Sequence, residues 1–358
     1  MKVVVAMSGG VDSSVTAGLL VEQGHDVIGV HMKLHDATGG GSGRCCGLDD
    51  ALDARAVADE LGIPFYVFNL REAFRKAVMD DLVGEYLRGV TPNPCIQCNG
   101  VLKFRVLLAR ARALGATHLA TGHYARIVEG PAGQPMLATG RDADKDQTYF
   151  LFPMTSAALG ASLFPLGGLT KAEVRAHAER FGLVTASKPE SQEICFIPDD
   201  DHGRFVAEAS GVDGSGDILD DDGRVVGRHG GYFRYTVGQR KGLGIALGKP
   251  AYVTGIDAEA RQVRVTTDPA RLLHGGLSAQ RGNWFAFPEP SQVVHARIRH
   301  RGGLVPCHVE GPPEAFSLRF LEPARAVAPG QAAVVYDDDE RVLGGGWITR
   351  ATPWEAAS

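Results

Sequence analysis

Lys2-Val3-Val4-Val5-Ala6-Met7 runs straight into Ser8-Gly9-Gly10-Val11-Asp12-Ser13-Ser14, and few folds accept that junction. Consecutive β-branched residues read as a buried strand. The two glycines allow a tight turn and a close backbone approach to a ligand. Asp12, Ser13 and Ser14 are residue types that cap helix N-termini, and Val15, Leu19 and Leu20 follow as an apolar helix pattern. Strand, glycine turn and helix start together make an anion site, because N–H groups and the helix dipole converge on one spot. No Lys follows Gly10, so this is not the G-x-x-x-x-G-K-[ST] loop and must hold phosphate in another way.

The alternation continues. A second strand is expected at 26–32, a Gly- and Ser-rich loop at 36–47, a helix at 48–61, a third strand at 65–68 and a helix at 71–88. In the stretch 91–99 the two prolines exclude helix up to Pro94, and Asn99 is placed to cap the next helix. That helix carries an apolar stripe at Phe104, Leu107, Leu108, Ala111 and Leu114. A strand at 118–123 then runs into a loop. Strands alternating with helices predict a doubly wound parallel sheet, the α/β class. Ligands of such sheets bind off the carboxyl ends of the strands, where the loops at 8–14, 33–47, 91–99 and 121–124 would gather. A hairpin is expected at 125–140, and Thr170 with Glu173 forms a capping box.

Near residue 210 the character changes to short alternating strands separated by Gly and Asp turns. Those expected last are at 283–287, 293–299, 316–320, 332–336 and 342–348. The division predicted is a catalytic α/β domain at 1–205, a small β-rich central domain at 206–275 and a C-terminal β-barrel at 276–358.

At 358 residues, 44% hydrophobic and 22% charged, the composition is that of a globular protein of two or three domains. No apolar run approaches the ~20 residues of a membrane helix, so no membrane partner is expected. The N-terminus enters strand at once, which predicts no signal peptide and a cytoplasmic location. The net charge of −5 argues against bulk polyanion binding but leaves room for local basic patches.

Six cysteines stand at positions 45, 46, 95, 98, 195 and 307, too few for a disulfide scaffold in a chain this long. Cys307 lies in an apparent strand and reads as a small buried hydrophobe. Cys98 and Cys195 lie among Pro, Asn, Gln, Glu and Ser, which suits reactive thiols. Cys95 and Cys98 precede a helix N-terminus, a place that lowers a thiol pKa. A second C-x-x-C pair, needed for a four-ligand zinc site, is absent, and adjacent Cys45 and Cys46 are poor candidates to supply it.

The loop S-G-G-V-D-S resembles the PP-loop of ATP pyrophosphatases, which are adenine nucleotide alpha hydrolase-like, Rossmann-like domains. SGGVDSS, TPNPCIQCN, TGHYA, KDQTYFL, ESQEICF, TVGQRKGLG and GGGWI, in this order, resemble the tRNA-specific 2-thiouridylase family across nearly the whole chain. The resemblance implies an ATP site at Ala6, Met7, Ser8, Gly9, Gly10, Val11, Asp12, Ser13, Met32 and Gly122, with Mg²⁺ on the phosphates. It implies adenylylation of a wobble uridine, then sulfur transfer from a persulfide on Cys195, with Cys98 as nucleophile and a Cys98–Cys195 disulfide left behind. The partners implied are tRNAs for Lys, Glu and Gln and a persulfide-carrying sulfur donor protein. The target base would meet Asn93, Pro94 and Cys95. His123, Lys145, Asp146, Gln147, Arg299, His300 and Gln331 match positions that touch tRNA.

Residues 295–301 read as an alternating strand with one basic face, suited to phosphates. Lys103, Arg105, Arg110 and Arg112 read more simply as a solvated helix face, while 235–242 is a flexible basic turn and a second RNA candidate. Family members commonly carry Asp where this chain has Cys95, and a thiol does not do a carboxylate's acid–base work at the same pKa. The change creates a trio, Cys95, Cys98 and Cys195, that resembles the iron–sulfur cluster ligands of related tRNA thiolation enzymes. A PP-loop ligase or amidotransferase acting on a small molecule is the other reading, and it has no use for these cysteines.

Overall fold

The computed structural model describes residues 1–36, 48–189, 194–197 and 199–354. Cys45 and Cys46 lie outside the described residues. By contacts the chain divides into two units. One comprises Met1–Met79, Cys95–Asp200 and Glu340–Val342, the other Asp80–Pro94, Asp201–Asp339 and Leu343–Ser358.

In the first unit, β1 (Lys2–Ala6) is the middle strand of a sheet, and Val3, Val4 and Val5 are fully buried. A strand covered on both faces needs such a continuous apolar run. β2 (Asp26–Lys33), β3 (Phe65–Asn69) and β4 (His118–Ala120) follow. A hairpin of β5 (Ala125–Glu129) and β6 (Pro135–Thr139) precedes β7 (Ser162–Leu163). The order is β3-β2-β1-β4-β7, every pair parallel, with Val3 opposite Val27 on one side and His118 on the other. The helices of this unit are α1 (Val11–Glu22), α2 (Leu48–Glu60), α3 (Arg71–Phe74), and, after α4 (Asp80–Leu87) of the other unit, α5 (Pro94–Gln97), α6 (Leu108–Ala113), α7 (Ser156–Leu159) and α8 (Lys171–Arg180). Val11, Val15 and Leu20 of α1 share a core with Val57 of α2 and Val174 of α8. The capping box of α8 is complete, with both Thr170 and Glu173 bonds made.

Two helix starts differ from expectation. Gly10 is the N-cap of α1, so Asp12, Ser13 and Ser14 lie inside its first turn. Ser13 and Ser14 hydroxyls donate back to the Gly10 carbonyl at 3.1 and 2.9 Å, and this use of the side chains replaces capping. Helix also begins earlier than Asn99. Pro94 opens α5, because a first-turn residue needs no N–H. The helix then runs through a ten-residue π segment, Cys98–Leu107, into α6. Asn99 sits within it, donating to the Phe150 carbonyl at 3.3 Å. The helix expected at 71–88 is likewise broken by a π turn at Arg75–Met79.

In the second unit, α9 (His202–Ser210) precedes a four-stranded sheet of β8 (Gly216–Leu219), β9 (Val225–His229), β10 (Tyr252–Asp257) and β11 (Gln262–Thr266), ordered β10-β11-β8-β9. Six further strands close a barrel: β12 (Leu273–Trp284), β13 (Val294–Arg297), β14 (Val305–Glu310), β15 (Ala315–Arg325), β16 (Ala332–Tyr336) and β17 (Val342–Pro353). The strand expected at 283–287 is the tail of β12, which starts ten residues earlier. Glycines at 275, 276 and 282 hide it in the sequence, since Gly is depleted in strands. Here they accompany register shifts at 274/276 and 280/283 that bend the strand around the barrel. The strand expected at 293–299 stops at Arg297, and Arg299 begins a turn closed by the Gly302 N–H at 3.0 Å. Among the described residues no helix is long and apolar enough to cross a membrane.

Candidate functional site

The loop after β1 is built for an anion. Gly9 takes φ +79°, where a side chain is strained, and a Cβ there would lie 2.2 Å from the Asp50 carbonyl oxygen. The Ser8 N–H donates to Ser13 Oγ at 3.1 Å, which ties the loop to the first turn of α1. The first N–H groups of that helix have no intrahelical acceptor and carry the positive end of its dipole. Gly122, just past β4, approaches the same turn so closely that a Cβ would sit 2.9 Å from Asp12 C and Ser13 N.

Asp12 does not face this loop alone. Lys171 Nζ pairs with both carboxylate oxygens at 2.8 and 2.9 Å, and Tyr124 Oη donates to Oδ1 at 2.8 Å. Neither partner is conspicuous in the sequence. Lys171 follows the capping-box Thr170, and the box is what brings it to the start of α8. Behind them, Gln147 Oε1 accepts the Tyr124 N–H at 3.0 Å, and the Gln147 N–H donates to the Tyr124 carbonyl at 3.0 Å. Asp146 is 4% exposed, and its carboxylate accepts the Gly140 N–H and both Thr148 N–H and hydroxyl. Of the stretch 145–147, Asp146 and Gln147 thus shape the loop, while Lys145 is half-buried.

Two histidines brace the strand ends. His31 is buried and faces the Met7 carbonyl at 3.0 Å, so its Nδ1 carries the proton. Burial holds its pKa below the ordinary value. Met32, the next residue of β2, pairs with Phe68 of β3. His123 has Nδ1 2.7 Å from Thr121 Oγ1 and Nε2 3.4 Å from Lys103 Nζ. An ammonium can only donate, so Nε2 accepts and Nδ1–H donates to Thr121. Burial first, and the Lys103 charge second, push the His123 pKa well below the ordinary value, leaving a neutral ring. Lys103 therefore does more than line a solvated helix face.

The described cysteines form no disulfide. Cys95 is exposed in the first turn of α5 and Cys98, three residues on, is half-buried. Cys195 is half-buried beside the buried Phe196. Among the described residues no three His, Cys, Asp or Glu side chains gather into a metal-binding group. Cys95, Cys98 and Cys195 as arranged therefore do not fit a cluster. Lys188 is anchored near the phosphate loop. Lys188 Nζ meets Asp50 at 2.7 Å and Asp53 at 2.5 Å, and burial, which alone would lower its pKa, is outweighed by the two carboxylates, so the pKa is raised. Cys307 is fully buried, and burial pushes its thiol up to about 12.

The remaining predicted residues lie in the second unit. Arg299 is exposed and His300 half-buried in the turn after β13. In β13 itself the Arg297 guanidinium lies 5.3 Å over the Tyr336 ring and His295 stands 3.5 Å from Asp338, so the basic face expected over 295–301 is divided. Gln331 Nε2 donates to the Thr91 carbonyl at 2.9 Å, and the Thr91 N–H donates to the Pro329 carbonyl at 2.9 Å. This fixes the chain just before half-buried Asn93 and buried Pro94.

A parallel sheet with an anion loop after its first strand, joined to a sheet domain and a closed barrel, defines a modular protein built around a nucleotide-type site. Residues 1–199 match the family described as a tRNA methyl transferase HUP domain, 203–267 its PRC-barrel domain, and 274–348 an aminomethyltransferase beta-barrel domain. A protein of Geotalea uraniireducens called tRNA-specific 2-thiouridylase MnmA is 51% identical over 99% of this chain and 97% of its own length. Proteins of the same name from Geobacter metallireducens and Carboxydothermus hydrogenoformans are 52% and 49% identical, each over 98% of this chain and over 97% and 98% of their own lengths. The chain belongs to the tRNA-specific 2-thiouridylase (MnmA) family.

Proposed function

We propose that this protein catalyses ATP-dependent 2-thiolation of a wobble uridine in tRNA. The observation that carries the reading is the Gly9 turn at the start of α1, standing in one unit with Cys98 and Cys195. The loop and helix N–H groups hold the pyrophosphate of ATP, and Lys171 stands at the same turn to meet its charge. Mg²⁺ would come bound to the phosphates and neutralise the leaving pyrophosphate. Attack by the uridine C2 oxygen on the α-phosphate breaks the α–β bond, giving an adenylylated base and pyrophosphate.

The outer sulfur of a Cys195 persulfide then attacks C2 and AMP leaves. Cys98 thiolate attacks the inner sulfur, the persulfide S–S bond breaks, and 2-thiouridine departs. A Cys98–Cys195 disulfide remains, which a two-electron dithiol reductant reopens. His123, Lys145, Arg299 and His300 are the RNA contacts proposed. Asp146, Gln147 and Gln331 support them by holding loops, and Asn93, Pro94 and Cys95 flank the base. The sulfur donor is a persulfide-carrying protein, the tRNAs are those for Lys, Glu and Gln, and a reducing cytoplasm suits the thiols.

The test is an anticodon stem-loop RNA with ATP and a persulfide donor. Pyrophosphate release that requires the RNA, with 2-thiouridine in the digested product, is the expected result. Pyrophosphate release at full rate without RNA would point to a small-molecule ligase instead.

A further inference from the structure

Cys195 shares an aromatic post with a histidine that the sequence motifs do not include. His35 stands just past the carboxyl end of β2, and its ring packs on Phe74 with centroids 6.2 Å apart. Phe196 packs edge-on against the same ring, at 5.4 Å and 82°. Phe74 is fully buried, so it holds residues 35 and 196 to one place from distant parts of the chain. His35 Nδ1 lies 3.4 Å from the Asp36 carbonyl oxygen, while Nε2 is buried without a directed hydrogen bond. The Cys195 side chain is the polar group that acts most strongly on the ring. Cys195 raises the imidazole pKa, and burial, which alone would lower it, is outweighed. Among the described residues Asp36 also acts on the ring, and it is itself paired with Arg71 at 2.6 Å and Lys33 at 3.1 Å.

We infer that His35 holds Cys195 as the thiolate that accepts sulfur. The inference rests on the reading above, in which Cys195 carries the persulfide. The Cys195 thiolate attacks the outer sulfur of a donor persulfide. A new S–S bond forms at Cys195, the donor S–S bond breaks, and the donor leaves as its thiolate with the electron pair, so no outside oxidant is needed. His35 supplies positive charge beside the attacking sulfur, and Phe74 and Phe196 keep that charge close by fixing the ring. A thiol paired with an imidazolium ionises well below its free value.

The experiment follows alkylation of Cys195 by iodoacetamide from pH 5 to 9, read by peptide mass spectrometry on the full chain. Wild type is compared with His35→Gln and with His35→Phe, which keeps aromatic packing on Phe74 but removes the charge. Thermal midpoint and ATP binding are measured alongside. Wild-type Cys195 is expected to react rapidly down to about pH 6, and both variants to move toward the ordinary thiol value of about 8.5. At pH 6.5 that is a loss of tenfold or more. His35→Lys, which restores a cation, should recover part of the low-pH rate. Identical profiles in wild type and His35→Phe would overturn the inference, as would a change that merely follows a fall in thermal midpoint. Thiolation by a Cys195→Ser variant would instead overturn the persulfide reading, and the alkylation profile would be unaffected by that result.

Discussion

The parallel sheet and the closed barrel both bury strands, β1 in one and β16 in the other, yet they differ in what stands at the strand ends. Parallel strands leave from one edge. Gly9, His35, Gly122 and His123 all follow or lie near such ends, and there they find Asp12, Lys171, Lys103 and Cys195. Antiparallel barrel strands send their ends alternately to two rims, and their charges pair along the wall, as Arg319 does with Glu310 at 3.0 Å. The cysteines show the difference most plainly. Cys195 stands by a histidine whose pKa it raises, whereas Cys307 is sealed in the wall and stays protonated. The polar and titratable contacts described above gather where the parallel strands end.

The sharpest way to break this comparison is by cysteine. Cys195→Ser and Cys98→Ser are each expected to cut 2-thiouridine formation more than 100-fold (about 3 kcal/mol or more in barrier) with ATP binding kept, while Cys307→Ser leaves the rate within about twofold. Product analysis by mass spectrometry decides it, and a dead Cys307→Ser with a normal melting point would refute the division of labour.

Next comes the loop itself. Gly9→Ala combines left-handed strain of roughly 1–2 kcal/mol with the Asp50 collision, and should abolish pyrophosphate release. Gly10→Ala, whose Cβ meets only Ser8 Oγ at 3.6 Å, should be much milder. Lys171→Met leaves the partly buried Asp12 carboxylate without its cation and should lower kcat/KM for ATP by about 10- to 100-fold, read in a pyrophosphate assay.

A smaller effect is read by pH. His31 and His123 are held neutral by burial, with folded pKa values below the ordinary one. The unfolded chain therefore takes up protons first. Their contribution is complete above about pH 6.5 and is lost as pH falls below it, at up to about 1.4 kcal/mol per pH unit for each ring. Denaturant titrations at three pH values should show a shallower slope for His31→Gln. Smallest is Arg299→Ala, expected to weaken RNA binding a few-fold and to lower the salt slope by about 1.

Much of this was legible beforehand. The strand, the glycine turn, the α/β alternation and the capping box at Thr170 all rest on local rules, and local rules survive folding. The pairs that matter lie far apart in sequence. Lys171 reaches Asp12, Lys103 reaches His123, and His35 meets Cys195 only because the sheet order brings their elements together. Glycines that bend β12 read as breaks, and the prolines before Cys95 read as a barrier where one of them is a helix start. A residue type states what a position can do locally, and the register of the sheet decides whom it meets.

The π segment Cys98–Leu107 has one more consequence. An α-helix advances about 100° per residue, and a wider coil usually records one residue more than the α count. Removing a single residue from this stretch would let it rewind with the flanks kept roughly in phase, whereas one removed from the regular turns of α6 would swing everything ahead of it by about 100°. Cys95 and Cys98 would keep their neighbours in sequence and their place at the mouth of the helix, yet point elsewhere. The aim of the thiol is thus set by how the chain is wound ten residues away, and a deletion scan across 99–113 would separate the residue the helix can lose from those that turn the thiol like the hand of a dial.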